Sequence, residues 1–368
     1  MVQKILKITP TNQLGYVCVM PDRQYMQRAL DLAIKGVGNV SPNPMVGCVI
    51  GYKNEIIGEG WHKKFGDAHA EANAIDTVKD KDLLTESVFY ITLEPCSIIG
   101  KQPACTDLIL KYMPKKVVIA SKDPNPDVNG NGMRILVDAG IEVIYGVMEQ
   151  ESITLNRRFF VSMSQNRPYL ILKWAQTADS FIARKDFDSR WISNEQSRQL
   201  VHKWRTEEDA ILIGYNTVKY DNPLLTARSW QGRNPVRIIV DRNLDLDITH
   251  KVFNSGEKVY LFNTKRQKSR ENIHYVQVDA SNFLSEMLSY LWQHNIGSVI
   301  IEGGAKTINE FLAAGYWDEA RVFTAETKFG TGIEAPVITG EYDTKLNING
   351  DRLNTIYNPK TKLLWQKK

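Results

Sequence analysis

The sequence has few cysteines and no long hydrophobic run. Its four cysteines among 368 residues are too few for the disulfide framework that holds small secreted domains together. No apolar run approaches the roughly 18 residues that a membrane-spanning helix needs. These two features favour a protein of the reducing cytoplasm and exclude an integral membrane protein.

The chain also lacks a basic arm, internal repeats and low-complexity tracts. Lys and Arg number 46 against 42 Asp and Glu, so the net charge is +4, and the basic residues are scattered along the chain. Scattered charge leaves no footprint for a nucleic acid, and we expect no such partner. A composition of 43% apolar and 24% charged residues is typical of globular proteins and excludes collagen-like and disordered classes.

The length indicates two domains, because a single hydrophobic core rarely grows beyond about 250–300 residues. Helical and strand patterns alternate through residues 22–145, as in an α/β sandwich. A polar stretch over 149–168 follows, and Pro168 precedes a new alternating α/β segment. We predict an N-terminal extension over 1–19, one α/β domain over 20–165 and a second over 166–368.

The first half contains a combination of residue types that suits zinc. His69-Ala70-Glu71 opens a predicted helix, and Pro95-Cys96 and Cys105 follow. One His and two Cys are the three protein ligands of a catalytic zinc, which leaves the fourth position to water. Glu71 would carry that water's protons as general acid and base. Pro95 suits the first helical position, which would place Cys96 at a helix N-terminus, where the dipole favours a thiolate.

This combination matches the zinc-deaminase signature H-x-E with P-C-x-x-C, except that eight residues separate the cysteines here instead of two. The insert 97–104 must loop out while Cys105 returns to the metal. A purely structural zinc is the alternative, but it would normally use four protein ligands. Asn43, in Ser-Pro-Asn-Pro, could either bind the edge of a heterocycle or hold a turn.

The second half contains weaker signals for an anionic ligand. Glu302-Gly303-Gly304 closes an apolar strand and opens a helix, so backbone N–H groups are offered to a phosphate. Arg205 and Arg228 could grip a phosphate bidentately or lie solvated on the surface. Trp191 could stack on a ring or fill the core, and the local sequence favours the core.

Residues 22 to about 150 resemble the deaminase domain of the bifunctional riboflavin-biosynthesis deaminase/reductase family. The eight-residue cysteine gap separates this family from the cytidine and tRNA adenosine deaminases, to which the segment is otherwise similar. Ile98 and Lys101 stand where the family usually has His and Arg. The matching runs are Ser41-Pro42-Asn43-Pro44-Met45-Val46-Gly47, His69-Ala70-Glu71, Thr92-Leu93-Glu94-Pro95-Cys96-Ser97 and Asp123-Pro124-Asn125-Pro126.

Residues 169 to about 330 resemble the reductase domain of the same family. The resemblance implies a dihydrofolate-reductase-like α/β fold here, beside a cytidine-deaminase-like sandwich in the first half, with Zn²⁺ and NADPH as cofactors. Ser180 stands where the family usually has glycine. The matching runs include Leu172-Lys173, Trp191-Ile192-Ser193, Asp209-Ala210-Ile211-Leu212-Ile213-Gly214, Asp221-Asn222-Pro223-Leu224-Leu225-Thr226, Arg237-Ile238-Ile239-Val240-Asp241 and Glu302-Gly303-Gly304.

Carried over by position, the resemblance implies roles for individual residues. Lys173 and Glu302 would handle protons and orient the sugar, and Asn43 would contact the pyrimidine in the first domain. The residues that would hold NADPH are Ala175, Trp191, Ser193, Thr217, Asp221, Arg242 and Gly304. The residues that would hold the phosphoribosyl substrate are Ser189, Arg205, Leu225, Arg228 and Glu302.

The implied function is a pair of consecutive reactions. The first deaminates 2,5-diamino-6-(ribosylamino)-4(3H)-pyrimidinone 5'-phosphate, and the second reduces its ribosyl side chain to ribityl with NADPH. We expect a cytoplasmic homo-oligomer, a dimer or a tetramer, with neither a nucleic-acid nor a membrane partner. The alternatives are a nucleic-acid deaminase, a deaminase fused to a catalytically silent binding domain, and a zinc-stapled interaction protein.

Overall fold

A computed structural model describes residues 9–10, 20–98, 103–189, 191–254 and 256–366. The chain divides into two compact units, one running to Ser164 and including Trp365, the other spanning Gln165–Leu364. No helix in the described ranges is long and apolar enough to cross a bilayer. The predicted extension over 1–19 falls outside the described residues, apart from the short strand Thr9–Pro10.

The first unit is built on one six-stranded sheet, with the strand order β1-β6-β5-β4-β2-β3. Strands β4, β5, β6 and β1 are parallel, and β2 runs antiparallel to both β3 and β4. Its elements in chain order are β1 (Thr9–Pro10), α1 (Met20–Ala33), β2 (Gly47–Tyr52), β3 (Glu55–Trp61), α2 (Ala70–Thr77), β4 (Val88–Leu93), α3 (Cys105–Tyr112), β5 (Lys116–Ser121), α4 (Asn131–Asp138), β6 (Glu142–Tyr145), α5 (Glu149–Leu155) and α6 (Arg157–Gln165), with 3₁₀ turns at Ile34–Gly36 and Lys81–Glu86.

Helices cover this sheet on both faces. On β5, Val117 and Ile119 pack with α2, α3 and α4, whereas Val118 and Ala120 pack with α1. Because side chains alternate between faces along a strand, a strand that is buried on both sides appears as a continuous apolar run. The predicted α/β sandwich is confirmed.

The turn between β2 and β3 has the geometry that its sequence requires. Lys53 and Asn54 both have positive φ, 47° and 66°. Two consecutive left-handed residues match the right-handed twist of the flanking strands, which is why two-residue hairpins use them. Strands β2 and β3 therefore form a hairpin with the two-residue turn Lys53-Asn54.

The second unit is built on a ten-stranded mixed sheet with the order β12-β13-β11-β10-β9-β14-β7-β15-β18-β17. Seven neighbouring strands are parallel, namely β13, β11, β10, β9, β14, β7 and β15. Strands β12, β18 and β17 pair antiparallel with their neighbours. The elements are β7 (Tyr169–Gln176), β8 (Phe181–Ala183), α7 (Glu195–Glu207), β9 (Ala210–Gly214), α8 (Tyr215–Asp221), β10 (Val236–Val240), β11 (Val259–Asn263), β12 (Lys268–Arg270), β13 (Ile273–Gln277), α9 (Phe283–Gln293), β14 (Ser298–Ile301), α10 (Ala305–Ala313), β15 (Glu319–Thr324), β16 (Ile333–Glu334), β17 (Glu341–Ile348), β18 (Asp351–Tyr357) and α11 (Pro359–Lys362), with a 3₁₀ turn at Lys251–Phe253.

The parallel strands of this sheet place their carboxyl ends at one edge. Strands β10, β9, β14 and β7 are consecutive neighbours and run in the same direction. In open parallel sheets the loops at this edge form the ligand crevice. The predicted α/β class of the second half is confirmed, and its candidate residues should be sought at this edge.

Candidate active sites

Three potential metal ligands from separate parts of the first unit converge. His69 directly precedes α2, Cys96 follows β4, and Cys105 is the first residue of α3. Their ligand atoms all lie within 4.8 Å of one another. The Nδ1 atom of His69 is 3.1 Å from Cys105 Sγ and 3.6 Å from Cys96 Sγ. The structure thus brings the three predicted ligands together.

The donor set and its spacing fit Zn²⁺. Tetrahedral bonds of about 2.0–2.3 Å separate neighbouring nitrogen and sulfur ligands by roughly 3.5 Å. The two nitrogen–sulfur separations are of this size. Among the described residues the cluster contains no fourth protein ligand. Three protein ligands are typical of a catalytic zinc, which keeps one position open.

The two cysteines have opposite protonation tendencies. A hydrogen bond from the Cys105 thiol, opposed by burial and supported by His69, lowers the pKa of Cys96 to about 4. The hydrogen bond to Cys96, together with burial, raises the pKa of the Cys105 thiol. Cys96 is therefore a thiolate at neutral pH, which is the form that binds metal.

The helix predicted to begin at Pro95 is not formed. Pro95 and Cys96 lie in irregular chain after β4, and the next helix begins at Cys105. The prediction that Cys96 lies at a helix N-terminus is wrong, because the φ that proline fixes suits a loop as well as a first helical turn. Cys105 occupies the helix N-terminus instead, and its backbone N–H donates to Cys96 Sγ at 3.2 Å.

Glu71 lies in the first turn of α2, beside the three ligands. Its side chain is buried, at 3% exposure. Burial, and then the negative charge of Cys96, raises the pKa of this carboxyl group. A carboxyl group with a raised pKa is suited to taking up and releasing protons near neutral pH.

Asn43 is fixed by a histidine that the sequence analysis did not identify. His62 Nδ1 is 3.1 Å from the carbonyl oxygen of Ala68, so this nitrogen carries the proton. The other ring nitrogen then accepts from Asn43 Nδ2 at 3.2 Å. The ring of His62 lies edge-on to that of His69, with centroids 5.3 Å apart. Asn43 is therefore anchored close to the metal ligands, and a lone His gave no sequence signal for this role.

Glu94 connects the chain that bears Cys96 to the start of α4. Its buried carboxylate accepts hydrogen bonds from the backbone N–H groups of Asp123, Gly130 and Met133, at 3.2, 2.9 and 3.3 Å. A carboxylate at a helix N-terminus satisfies donors that have no partner within the helix. Glu94 belongs to a run that matches the family, but the sequence alone indicates no role for its side chain.

A cleft of about 780 Å³ lies in the second unit, and the residues predicted for this half line it. They come from β7, from the chain before α7, from α7 and α8, and from the loops after α8, β10 and β14. The predicted residues that line it are Lys173, Ala175, Ser189, Trp191, Ser193, Arg205, Thr217, Asp221, Leu225, Arg228, Arg242, Glu302 and Gly304.

Glu302 is the centre of a buried ionic group at this cleft. Arg205 donates through Nε and a terminal nitrogen to the two Glu302 oxygens, each at 2.8 Å. Lys173 Nζ lies 3.6 Å from Glu302 Oε2. Burial opposes ionisation of Glu302, but Arg205 and Lys173 outweigh it and lower the pKa to about 2. Burial also lowers the pKa of Lys173, which Glu302 partly counteracts.

The two arginines at the cleft have different environments. Arg205 uses one edge of its guanidinium group on Glu302 and donates from the other terminal nitrogen to the Thr226 carbonyl at 3.1 Å. Arg228 is exposed. Arg228 is therefore more available to an incoming anion than Arg205.

Trp191 and Leu225 have an exposure and a backbone conformation, respectively, that their residue types do not favour. Trp191 is 68% exposed and stacks against Arg198, whose guanidinium carbon lies 4.5 Å from the ring centre, so the core position is excluded. Leu225 is buried with φ of 56°. A bulky residue in the left-handed region is unusual and occurs most often where function constrains the backbone.

The turn after β14 requires glycine. A Cβ added to Gly303 would lie 2.7 Å from Cβ of Thr307. The N–H of Gly304 donates to Thr217 Oγ1 at 3.2 Å, which joins this turn to α8. The backbone at the start of α10 is thus brought close to the cleft, as a phosphate-binding turn requires.

Comparisons with known proteins give matches in both units. The family described as the RibD C-terminal domain matches residues 168–358, and the cytidine and deoxycytidylate deaminase zinc-binding region matches residues 20–121. The riboflavin biosynthesis protein RibD of Aquifex aeolicus is 40% identical over 318 residues, which are 85% of this chain and 89% of that protein. The protein of the same name from Escherichia coli is 33% identical over 331 residues, 85% of this chain and 89% of its own.

Solved structures give the same result over both units. A diaminohydroxyphosphoribosylaminopyrimidine deaminase/5-amino-6-(5-phosphoribosylamino)uracil reductase from Thermotoga maritima is 36% identical and has a TM-score of 0.84, covering 92% of this chain and 99% of its own. RibD of Acinetobacter baumannii also has a TM-score of 0.84, at 32% identity, with 92% and 98% of the two chains covered. The chain therefore belongs to the RibD family of bifunctional riboflavin-biosynthesis deaminase/reductases, which use Zn²⁺ and NADPH.

Proposed function

We propose that residues 20–165 deaminate the pyrimidine ring and that residues 166–368 reduce the ribosyl side chain of the same phosphorylated compound. The observation that carries the proposal is the convergence of His69, Cys96 and Cys105 within 4.8 Å, beside the buried Glu71. The two reactions are those of the deaminase/reductase family, and the positions of the side chains support the residue roles proposed below.

In the first site, His69, Cys96 and Cys105 would hold the zinc ion. When bound, zinc lowers the pKa of water toward about 7, so that a nucleophile is available at neutral pH. Asn43, anchored by His62, would orient the edge of the pyrimidine. The residues that would hold zinc are therefore distinct from Asn43 and His62, which would orient the pyrimidine.

Glu71 would carry the protons of the deamination. Water adds to C2 of the ring, and Glu71 takes up one of its protons and passes it to the amino nitrogen. The C2–N bond then breaks, the oxygen stays on C2, and the nitrogen leaves as ammonia. A buried carboxyl group with a raised pKa is suited to hold this proton between the two steps.

In the second site, NADPH, when bound, would be the hydride source for reduction at C1' of the ring-opened ribosylamine. Lys173 would hold the proton that the neighbouring nitrogen receives, and Glu302 would fix the ammonium and the sugar hydroxyls. Arg205 would hold Glu302 in place, and the exposed Arg228 would meet the 5'-phosphate. The other cleft residues are assigned as predicted: Ser189 and Leu225 to substrate, and Ala175, Trp191, Ser193, Thr217, Asp221, Arg242 and Gly304 to NADPH.

We also infer a cytoplasmic homo-oligomer, a dimer or a tetramer. A reducing compartment suits a site that needs two free thiols as ligands, and Cys96 and Cys105 are free cysteines. Light scattering of the purified protein measures the number of subunits, and a monomeric mass would contradict this inference.

The Glu71→Gln variant tests the assignment of the two sites. We expect ammonia release to fall by at least about a hundredfold, the lower range for loss of a general acid–base group. NADPH oxidation with the deaminated substrate should be unchanged. The matched control is Glu86→Gln, which alters an exposed glutamate of the same unit.

Loss of both activities in Glu71→Gln would show that the two sites are not separate. If the unmodified protein releases ammonia but does not oxidise NADPH, this would instead favour a catalytically silent binding domain in the second half.

A further inference from the structure

Two exposed aromatic rings stack face to face at the cleft of the second unit. Phe187 follows β8, and Tyr220 lies near the end of α8. Their ring centroids are 4.2 Å apart and their planes are inclined by 1°. Both residues line the cleft, and they are 37% and 44% exposed. The rings therefore contact each other while remaining open to solvent, unlike a core pair.

The backbone of Phe187 is strained. Its φ is 70°, in the left-handed region that L-residues with large side chains avoid. A tight turn holds this conformation, with Phe187 N–H donating to the Arg184 carbonyl at 3.0 Å and Arg184 N–H donating to the Asp188 carbonyl at 2.9 Å. Strain of this kind persists where the surroundings compensate for it, and it is concentrated at functional sites. The turn and the stack with Tyr220 together constrain this residue.

The pair joins two sides of the cleft. Phe187 lies in the chain that leads to Trp191, and Tyr220 lies between Thr217 and Asp221 on α8. Residues assigned above to NADPH therefore flank both rings. The stacked rings therefore connect the two segments that would contact the dinucleotide.

We propose that Phe187 and Tyr220 form an aromatic clasp that closes across the cleft over bound NADPH and slows its release. The inference rests on the proposed function of the second unit. Rings at contact distance leave no room for a third ring between them, so the clasp opens when the dinucleotide enters or leaves.

The rate of NADPH dissociation from the full-length protein tests this proposal. The preformed complex is mixed rapidly with excess NADP⁺, and the loss of NADPH fluorescence is followed. We expect NADPH to dissociate about two- to tenfold faster from Phe187→Leu and from Tyr220→Ala than from the unmodified protein. This range corresponds to the interaction energy of one aromatic pair. The double variant should be no faster than the faster single variant, because both changes remove the same contact.

Two further variants serve as controls for effects that do not involve the stack. Tyr220→Phe retains the stacked ring and should release NADPH at the rate of the unmodified protein. Tyr342→Ala removes an exposed aromatic ring on β17, outside the cleft, and should also leave the rate unchanged. Thermal unfolding of each variant checks that the second unit is intact.

An unchanged or slower dissociation in Phe187→Leu and Tyr220→Ala would overturn the clasp, as would effects that simply multiply in the double variant. Failure of the unmodified protein to bind NADPH would overturn the proposed function of the second unit, and the clasp with it. Normal NADPH binding with no effect of the variants would overturn the clasp alone.

Discussion

At the scale of single residues, His202 on α7 makes stability depend on pH. Its side chain is 6% exposed, and its Nδ1 atom lacks a hydrogen-bond partner among the described residues. Burial, followed by repulsion from Arg205 and Arg228, lowers its pKa from 6.5 to about 4, against weaker opposing effects of the Thr226 carbonyl and Glu302. The folded protein therefore holds this imidazole neutral where the unfolded chain would protonate it.

We predict that stability falls as the pH is lowered from 6.5 toward 4. In this range the unfolded chain binds a proton at His202 and the folded chain does not, so acid favours unfolding. The full contribution is present above pH 6.5. His202→Gln should reduce the loss, as measured by urea denaturation at pH 7 and pH 5. An equal loss in the variant and the unmodified protein would contradict the assignment.

Ser180 provides a second prediction at this scale. It occupies the position where glycine is usual in the family, and its φ is 65°. Its N–H closes a turn onto the Thr177 carbonyl at 3.0 Å, so the turn forms despite the side chain. Ser180→Gly should stabilise the protein by about 0.5–1 kcal/mol, since glycine has no penalty in the left-handed region. Thermal unfolding measures this, and a lower midpoint in the variant would contradict it.

The zinc ligands could be predicted from the sequence because their chemistry restricts residue type and order. His69, Cys96 and Cys105 follow a known pattern, and metal binding admits few alternatives. The roles of His62 and Phe187 could not be predicted, since they depend on contacts with residues distant in the chain or on a backbone angle. The pairing of Arg205 with Glu302, 97 residues away, is of the same kind.

At the scale of elements, Glu94 holds the start of α4 against the end of β4. A Cβ added to Gly132 in α4 would lie 2.2 Å from the carbonyl oxygen of Pro95, so the two segments are in close contact. Cys96 is the next residue after Pro95. The position of this ligand thus depends on how α4 is held.

We predict that Glu94→Ala destabilises the first unit by about 1–3 kcal/mol, because it leaves buried backbone donors without an acceptor. The zinc content of the purified variant should fall as well. Glu94→Gln keeps one acceptor oxygen and should have an intermediate effect. Denaturation and elemental analysis measure the two effects, and unfolding and zinc content equal to those of the unmodified protein would contradict the prediction.

Elements with strong apolar periodicity could be predicted, and those without it could not. Strands β4 (Val88–Leu93) and β10 (Val236–Val240) are apolar runs between polar turns, so the sequence pattern is sufficient to locate them. The polar sequence of 149–168 predicts a domain boundary, yet this stretch contains α5 and α6. Helix α6 buries Phe160 and Val161, and the polar residues around them, among them the half-buried Arg157 and Arg158, concealed this pattern.

At the scale of the whole molecule, the chain combines a metal-dependent unit with a unit whose candidate residues include no such cluster. Removal of zinc by a chelator should abolish ammonia release and leave NADPH oxidation of the deaminated substrate unchanged. Added Zn²⁺ should restore ammonia release. Loss of NADPH oxidation along with ammonia release would show that the second activity also depends on the metal.

We infer that one chain performs both reactions in sequence. To test this, the purified protein is supplied with the phosphoribosyl diaminopyrimidine and NADPH, and ammonia release and NADPH consumption are followed in the same sample. We expect ammonia first and then NADPH consumption in equal amount, with no NADPH consumed before deamination. Ammonia release without any NADPH consumption, or NADPH consumption without ammonia, would contradict it.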